Sequence, residues 1–154
     1  MQQEHLDLTT ATDADLLAWL RDLCRDAGLR ATPQRIEILK EIAGHRGHPS
    51  AEDIYAAIVE RMPTVSLDTV YRTLGLFEQH AVLVKLWGPG GRCRYDPNVA
   101  PHHHLVCDAC GAIEDFAWPH FDRLTPPEDA AQWGTVSRVQ VEVHGLCRDC
   151  ATRD

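Results

Sequence analysis

Pro63-Thr64-Val65-Ser66-Leu67-Asp68-Thr69-Val70-Tyr71-Arg72-Thr73-Leu74 contains a helix stop, a short turn, a capping serine and the start of an apolar stripe. Proline lacks the N–H that a helix interior needs, so Pro63 ends the segment before it. Ser66 offers a hydroxyl to the first free backbone N–H groups of a new helix, in which Val70, Leu74 and Phe77 recur at helical spacing. Upstream, Ser50 opens a helix with Asp53 three residues on, a weak capping-box variant, and Ile54, Ala57, Ile58 and Met62 face inward. Two helices joined by so short a turn are either a helix-turn-helix or a plain helical hairpin.

The next segment favours the first. Val82 to Trp87 is a short apolar strand, Gly88-Pro89-Gly90-Gly91 is a turn signal, and Arg92 to Tyr95 can run back beside it. Helix, helix, hairpin is the order of a winged helix. Two more helices come earlier. Asp13 to Ala27 places Leu16, Leu17, Trp19, Leu20, Leu23 and Ala27 on one face, with Thr12 as cap and Gly28 as stop. Thr32 and Pro33 announce the other, which carries Ile36, Leu39, Ile42 and Ala43 and ends at Gly44. The helix after Ser66 turns Thr69, Tyr71, Arg72 and Thr73 away from its apolar stripe. Hydroxyls and a guanidinium contact phosphates and base edges, and a tyrosine ring packs on thymine methyls. Arg30 and Arg35 add cations near the N-terminus. A solvated helix face is the alternative.

Asp96-Pro97-Asn98 is a natural hinge. The predicted fold class is α+β: a winged-helix DNA-binding domain over residues 1–95, then a small α/β domain over residues 96–154. In the second, Leu105-Val106, Ile113 to Phe116 and the alternating Val139 to His144 are strand candidates, Pro119 to Leu124 a helix, and Pro126 to Asp129 a loop.

That second domain carries the metal chemistry. Cys107/Cys110 and Cys147/Cys150 are two Cys-x-x-Cys pairs, and four thiolates complete a closed tetrahedral zinc site. The 36 residues between the pairs exceed a zinc-ribbon interval, so tertiary structure must bring them together. Redox pairs or unrelated buried thiols are the alternatives. Cys24 and Cys93 read as ordinary thiols. In His102-His103-His104, residues two apart on an extended chain point the same way, so His102 and His104 can share a ligand while His103 points elsewhere. Asp96 before the run, or Asp115 after the first thiol pair, can complete a nitrogen–oxygen set suited to Fe(II), Mn(II) or Zn(II). A surface histidine cluster is the bland reading. His48, ahead of the helix at Ser50, reads from spacing alone as a loop residue.

Composition bounds the rest. The chain has 154 residues, 44% hydrophobic and 25% charged, with no apolar run long enough to span a membrane. Met1 to Asp15 has no Lys or Arg and is unlike a secretory signal, so a cytoplasmic location is expected, where paired cysteines are more often metal ligands than disulfides. A net charge of −8 argues against a general nucleic-acid coat. Even Met1 to Lys85 has 9 Lys+Arg against 13 Asp+Glu, so any DNA contact must focus its cations on one face. No organic cofactor is expected.

Gly28-Leu29-Arg30-Ala31-Thr32-Pro33-Gln34-Arg35, His48 to Tyr55, Ser66 to Leu74 and His102 to Gly111, in this order, resemble the ferric uptake regulator (Fur) family, in register from about Gly28 to Cys150. The resemblance implies a dimeric repressor with an N-terminal winged helix and a C-terminal α/β dimerisation domain, binding palindromic AT-rich duplex DNA. It places Tyr71 and its neighbours Ser66, Thr69 and Arg72 at the DNA, with Arg30 at a minor groove. It implies structural zinc on the four thiols and a regulatory Fe(II) or Mn(II) held by His48, Asp96, His102, His104 and Asp115. Aspartate at 96 and 115 resembles the peroxide-sensing branch, in which a ligand histidine is oxidised when Fe(II) meets hydrogen peroxide; His48 and His102 are the matching positions. An iron- or zinc-responsive repressor is the neighbouring alternative. Gln140 stands where the family often has a histidine, which removes a ligand from any further site, though His144 is near.

Two other classes fit less well. A zinc hydrolase needs an open coordination position and a general base, yet the thiolate site would be closed and no His-Glu-x-x-His spacing occurs, so no enzyme is expected. A zinc-stapled interaction module without sensing would fit the acidic charge.

Overall fold

The computed structural model describes residues 12–45, 47–136 and 138–152. It divides into two compact units: residues up to Trp87 with Gly91–Val99, and Ala100 onward with Gly88–Gly90.

The first unit runs α1 (Asp13–Asp26), α2 (Pro33–Gly44), α3 (Ala51–Ile58), α4 (Leu67–Gln79), β1 (Val84–Trp87) and β2 (Cys93–Asp96). Every helix start is chemically marked. Thr12, Thr32, Ser50 and Ser66 are the N-caps, and the α1 and α3 caps form full capping boxes with Asp15 and Asp53. Helix α1 ends where Gly28, at φ 70°, lets the Leu29 N–H reach the Cys24 carbonyl. Only glycine takes that left-handed turn without cost. Leu20, Ile38, Ile54, Ile58, Val70, Leu74 and Phe77 meet in one core with no exposed surface. Ile38 joins it although the apolar stripe read from the sequence omitted it.

The β1–β2 hairpin pairs antiparallel, with Val84 opposite Asp96 and Leu86 opposite Arg94. The strand expected from Val82 starts two residues later. Ala81, at φ 53°, closes α4 by a left-handed turn in which the Val82 N–H bonds the Phe77 carbonyl. Val82 and Leu83 therefore enter the core from a turn and not from a strand.

The second unit contains β3 (His103–Cys107), β4 (Ile113–Phe116), α5 (Glu128–Trp133), β5 (Glu142–Gly145) and α6 (Arg148–Ala151). Its sheet has the order β4-β3-β5, antiparallel between β3 and β4 and parallel between β3 and β5. Three local expectations change. The helix expected over Pro119–Leu124 is one 3-10 turn, Phe121–Arg123. Glu128 and Asp129, expected in a loop, begin α5 after Pro127. The strand expected over Val139–His144 is Glu142–Gly145 and is exposed on both faces. Among the described residues no helix is long and apolar enough to cross a membrane.

Candidate metal centres

The parallel pairing of β3 with β5 sets Cys107 beside Gly145, and the Asp108 N–H bonds the Gly145 carbonyl. That register carries the second thiol pair across the long intervening segment to the first. The four Sγ atoms of Cys107, Cys110, Cys147 and Cys150 all lie within 4.8 Å of one another, and Cys110 and Cys147 are 3.8 Å apart. Zinc–sulfur bonds of about 2.3 Å in a tetrahedron set sulfurs about 3.8 Å apart, so the cage fits a zinc ion. The sulfurs differ in acidity. The Cys147 backbone N–H donates to Cys107 Sγ at 3.3 Å, and with the Cys110 and Ala109 N–H groups it draws that thiol down to about 6. Hydrogen bonding with Cys147 and Cys110, then burial, pushes Cys150 up to about 12. Zinc takes all four as thiolates, so loading releases protons.

The second donor group of this unit lies on the sheet. Register puts His104 of β3 opposite Asp115 of β4, and His102, two residues earlier, lies on the same side. The His102 and His104 Nε2 atoms are 2.9 Å apart, and each is 3.5 Å from Asp115 Oδ1. Both imidazoles are buried. His102 Nδ1 donates to the Ala100 carbonyl at 2.8 Å, which leaves the Nε2 lone pair for a ligand. Bonds of about 2.1 Å at right angles put donors about 3.0 Å apart, so these three atoms match a mixed nitrogen–oxygen cation site.

His103 points to the opposite face. Its Nδ1 accepts the Val141 N–H at 3.1 Å, so Nε2 carries the proton that goes to Asp122 Oδ1 at 3.0 Å, between Phe116 and Phe121. His144, at the end of β5, lies between Asp108, at 3.1 Å, and Glu142, at 3.4 Å.

In the first unit, His48 is buried just before the α3 cap, and Asp96 ends β2 with no exposed surface. Arg94 ties their segments together. Its Nη1 donates to the His48 carbonyl at 3.1 Å and to Asp53 Oδ2 at 3.3 Å, while the Tyr95 N–H bonds the Pro49 carbonyl. Sequence reading missed Arg94; its place two residues before Asp96 on one strand was the available signal.

The proposed DNA-reading residues lie on α4 and in the loop before α2. Ser66 caps α4 through the Thr69 N–H, and Arg72, exposed, pairs with Asp68 at 3.0 Å. The Tyr71 hydroxyl donates to Glu52 of α3, which raises the tyrosine's pKa and lowers the glutamate's. Arg30 is exposed, and its carbonyl accepts from Arg35. Cys24 is buried in the core and, by that burial, is less acidic than a free thiol.

Comparison with known proteins gives one consistent result. The chain is 36% identical over 129 residues to the peroxide-responsive repressor PerR of Staphylococcus saprophyticus, covering 82% of this chain and 85% of that one. It is 32% identical over 130 residues to the peroxide operon regulator of Bacillus subtilis, covering 84% and 90%. Among solved structures, a zinc uptake regulator complexed with zinc and DNA superposes with a TM-score of 0.69 at 25% identity, over 92% of this chain and 97% of that one. Residues 26–144 match the profile of the ferric uptake regulator family, and the chain belongs to that family.

Proposed function

We propose that this protein is a homodimeric, metal-dependent transcriptional repressor that leaves its operator when hydrogen peroxide is present. In this reading the regulatory ion, Fe(II) or Mn(II), is held by His102, His104 and Asp115 together with His48 and Asp96, and the four cysteines hold permanent zinc. The observation that carries it is the convergence of two imidazole Nε2 atoms 2.9 Å apart on one aspartate oxygen, with the His102 tautomer fixed for ligation. Similarity to peroxide-responsive repressors over most of the chain supports the trigger. Fe(II) supplies the reduction of peroxide, and Mn(II) would leave the repressor much less responsive. The chain's own part is to hold the imidazoles of His48 and His102 where oxidation removes a ligand.

Ser66, Thr69, Tyr71, Arg72 and Arg30 contact a palindromic AT-rich duplex in this reading, and the protein works in the cytoplasm. A two-fold duplex calls for a two-fold protein. Leu105, Val143 and Leu146 are exposed on the second unit, an apolar surface that a second copy would cover.

The test compares operator binding of the Fe(II)- and Mn(II)-loaded protein before and after peroxide, with mass spectrometry of the peptides holding His48 and His102. Release of the iron form alone, with one added oxygen on either peptide, is expected. Iron-loaded protein that stays on DNA with both peptides unmodified removes the peroxide reading and leaves an iron- or zinc-responsive repressor.

A further inference from the structure

We infer that Arg94 is the positioning residue that transmits regulatory-metal binding to the DNA-reading helix, through Asp53 and Glu52 at the first turn of α3. The inference rests on the ligand set proposed above, of which the first unit supplies His48 and Asp96.

The bonds form a continuous path inside the first unit. One Arg94 nitrogen, Nη1, bridges the His48 carbonyl and Asp53 Oδ2. The same Asp53 oxygen accepts the Ser50 N–H at 2.9 Å and so completes the α3 capping box. Glu52, the adjoining residue of α3, accepts the hydroxyl of Tyr71 on α4. At its other end Arg94 is fixed in β2, two residues before Asp96 and opposite Leu86 of β1. The two first-unit ligands therefore reach the recognition helix through one guanidinium and two adjacent carboxylates.

Physical considerations favour a transmitting role over a packing one. The Arg94 side chain is 20% exposed, and its Nε is buried with no hydrogen-bond partner among the described residues. An apolar side chain of similar length would avoid that cost, so stability alone does not explain a guanidinium here. A forked cation has what an apolar chain lacks, two acceptors on separate segments held at fixed spacing. When a cation fixes His48 and Asp96, the His48 carbonyl and β2 are fixed with them. Arg94 passes that constraint to the α3 N-terminus, and Glu52 passes it to the Tyr71 hydroxyl. In this inference the α3 N-terminus is the element that both ligands bias.

The test uses the full chain with its zinc retained, Mn(II) as the probe and a duplex selected from random sequence by the Mn(II)-loaded wild type. Mn(II) affinity without DNA is read from the electron paramagnetic resonance of the free aquo ion. Duplex affinity with and without Mn(II) is read by fluorescence anisotropy. For Arg94→Met we expect Mn(II) affinity and metal-free duplex affinity to stay near wild type, while the Mn(II)-induced gain in duplex affinity falls by about tenfold, within the usual range of such couplings. By linkage, the tightening of Mn(II) by duplex must fall by the same factor, which checks the measured coupling, while the unchanged Mn(II) and metal-free duplex affinities separate transmission from loss of packing. Arg94→Lys, which keeps the charge, should restore part of the gain. If Arg94→Met folds poorly, Arg94→Gln, which keeps a polar side chain but lacks the forked cation, gives the same reading. A full Mn(II) gain in Arg94→Met overturns the inference, as does loss of Mn(II) binding in the absence of duplex. A wild type with no Mn(II) gain at all removes instead the proposed regulation.

Discussion

His144 shows how one side chain near the zinc cage reports its surroundings. Asp108 and then Glu142 favour the imidazolium, so its pKa lies above the ordinary histidine value. A histidine raised in the folded state stabilises it below the unfolded pKa, and that contribution is lost as pH rises through the folded pKa. Nuclear magnetic resonance titration of the His144 ring should therefore give a midpoint above 6.5 in the native protein. Asp108→Asn should move it down; a midpoint that ignores this substitution would show that Asp108 is not the cause. At the same scale, the four cysteines were legible from their spacing because thiolate chemistry leaves few alternatives. Asp115 was not. Spacing left it interchangeable with Asp96, and the physical reason for it, a β3–β4 register that sets it across from His104, is a tertiary fact.

Single helices were read closely because their ends are local chemistry: each of the four predicted starts carries its cap in the structure. The chain after α4 was misread for an equally local reason. Val82 and Leu83 are apolar, as a strand demands, but Ala81 takes a left-handed conformation that only the folded turn displays. Such a backbone costs a residue with a β-carbon roughly 1–2 kcal/mol, part of which glycine's greater freedom in the unfolded chain would offset. Ala81→Gly should accordingly stabilise the first unit by about 0.5–1 kcal/mol in urea unfolding. A loss of stability would show that the turn is relaxed by other means. The alternation of Val139 to His144 was also taken at face value. Period-two patterning identifies a surface with one apolar side, and β5 keeps both sides exposed within a single chain.

At the scale of the whole molecule, the order of helices, hairpin and thiolate cage followed from the sequence, whereas the cover for the second unit's apolar surface did not. Leu105 and Val143 are cross-strand neighbours on β3 and β5, each 42% exposed. If a second copy covers them, Leu105→Asp with Val143→Asp should halve the mass seen by sedimentation while the cage keeps its zinc. An unchanged mass would place the dimer contact elsewhere. The chain's −8 charge bears on the same scale. Arg72, on the proposed reading helix, is already paired with Asp68, so a phosphate must take that carboxylate's place.

The β3 pleat sends His104 to one face and His103 and Cys107 to the other, and the same strand aligns Cys107 with Gly145. A slip of one residue would swap the imidazole offered to the ion and, in the same movement, misplace a thiol. Both centres thus share a single ruler, and a one-residue insertion between His104 and Cys107 would leave the strand able to keep only one of them in register.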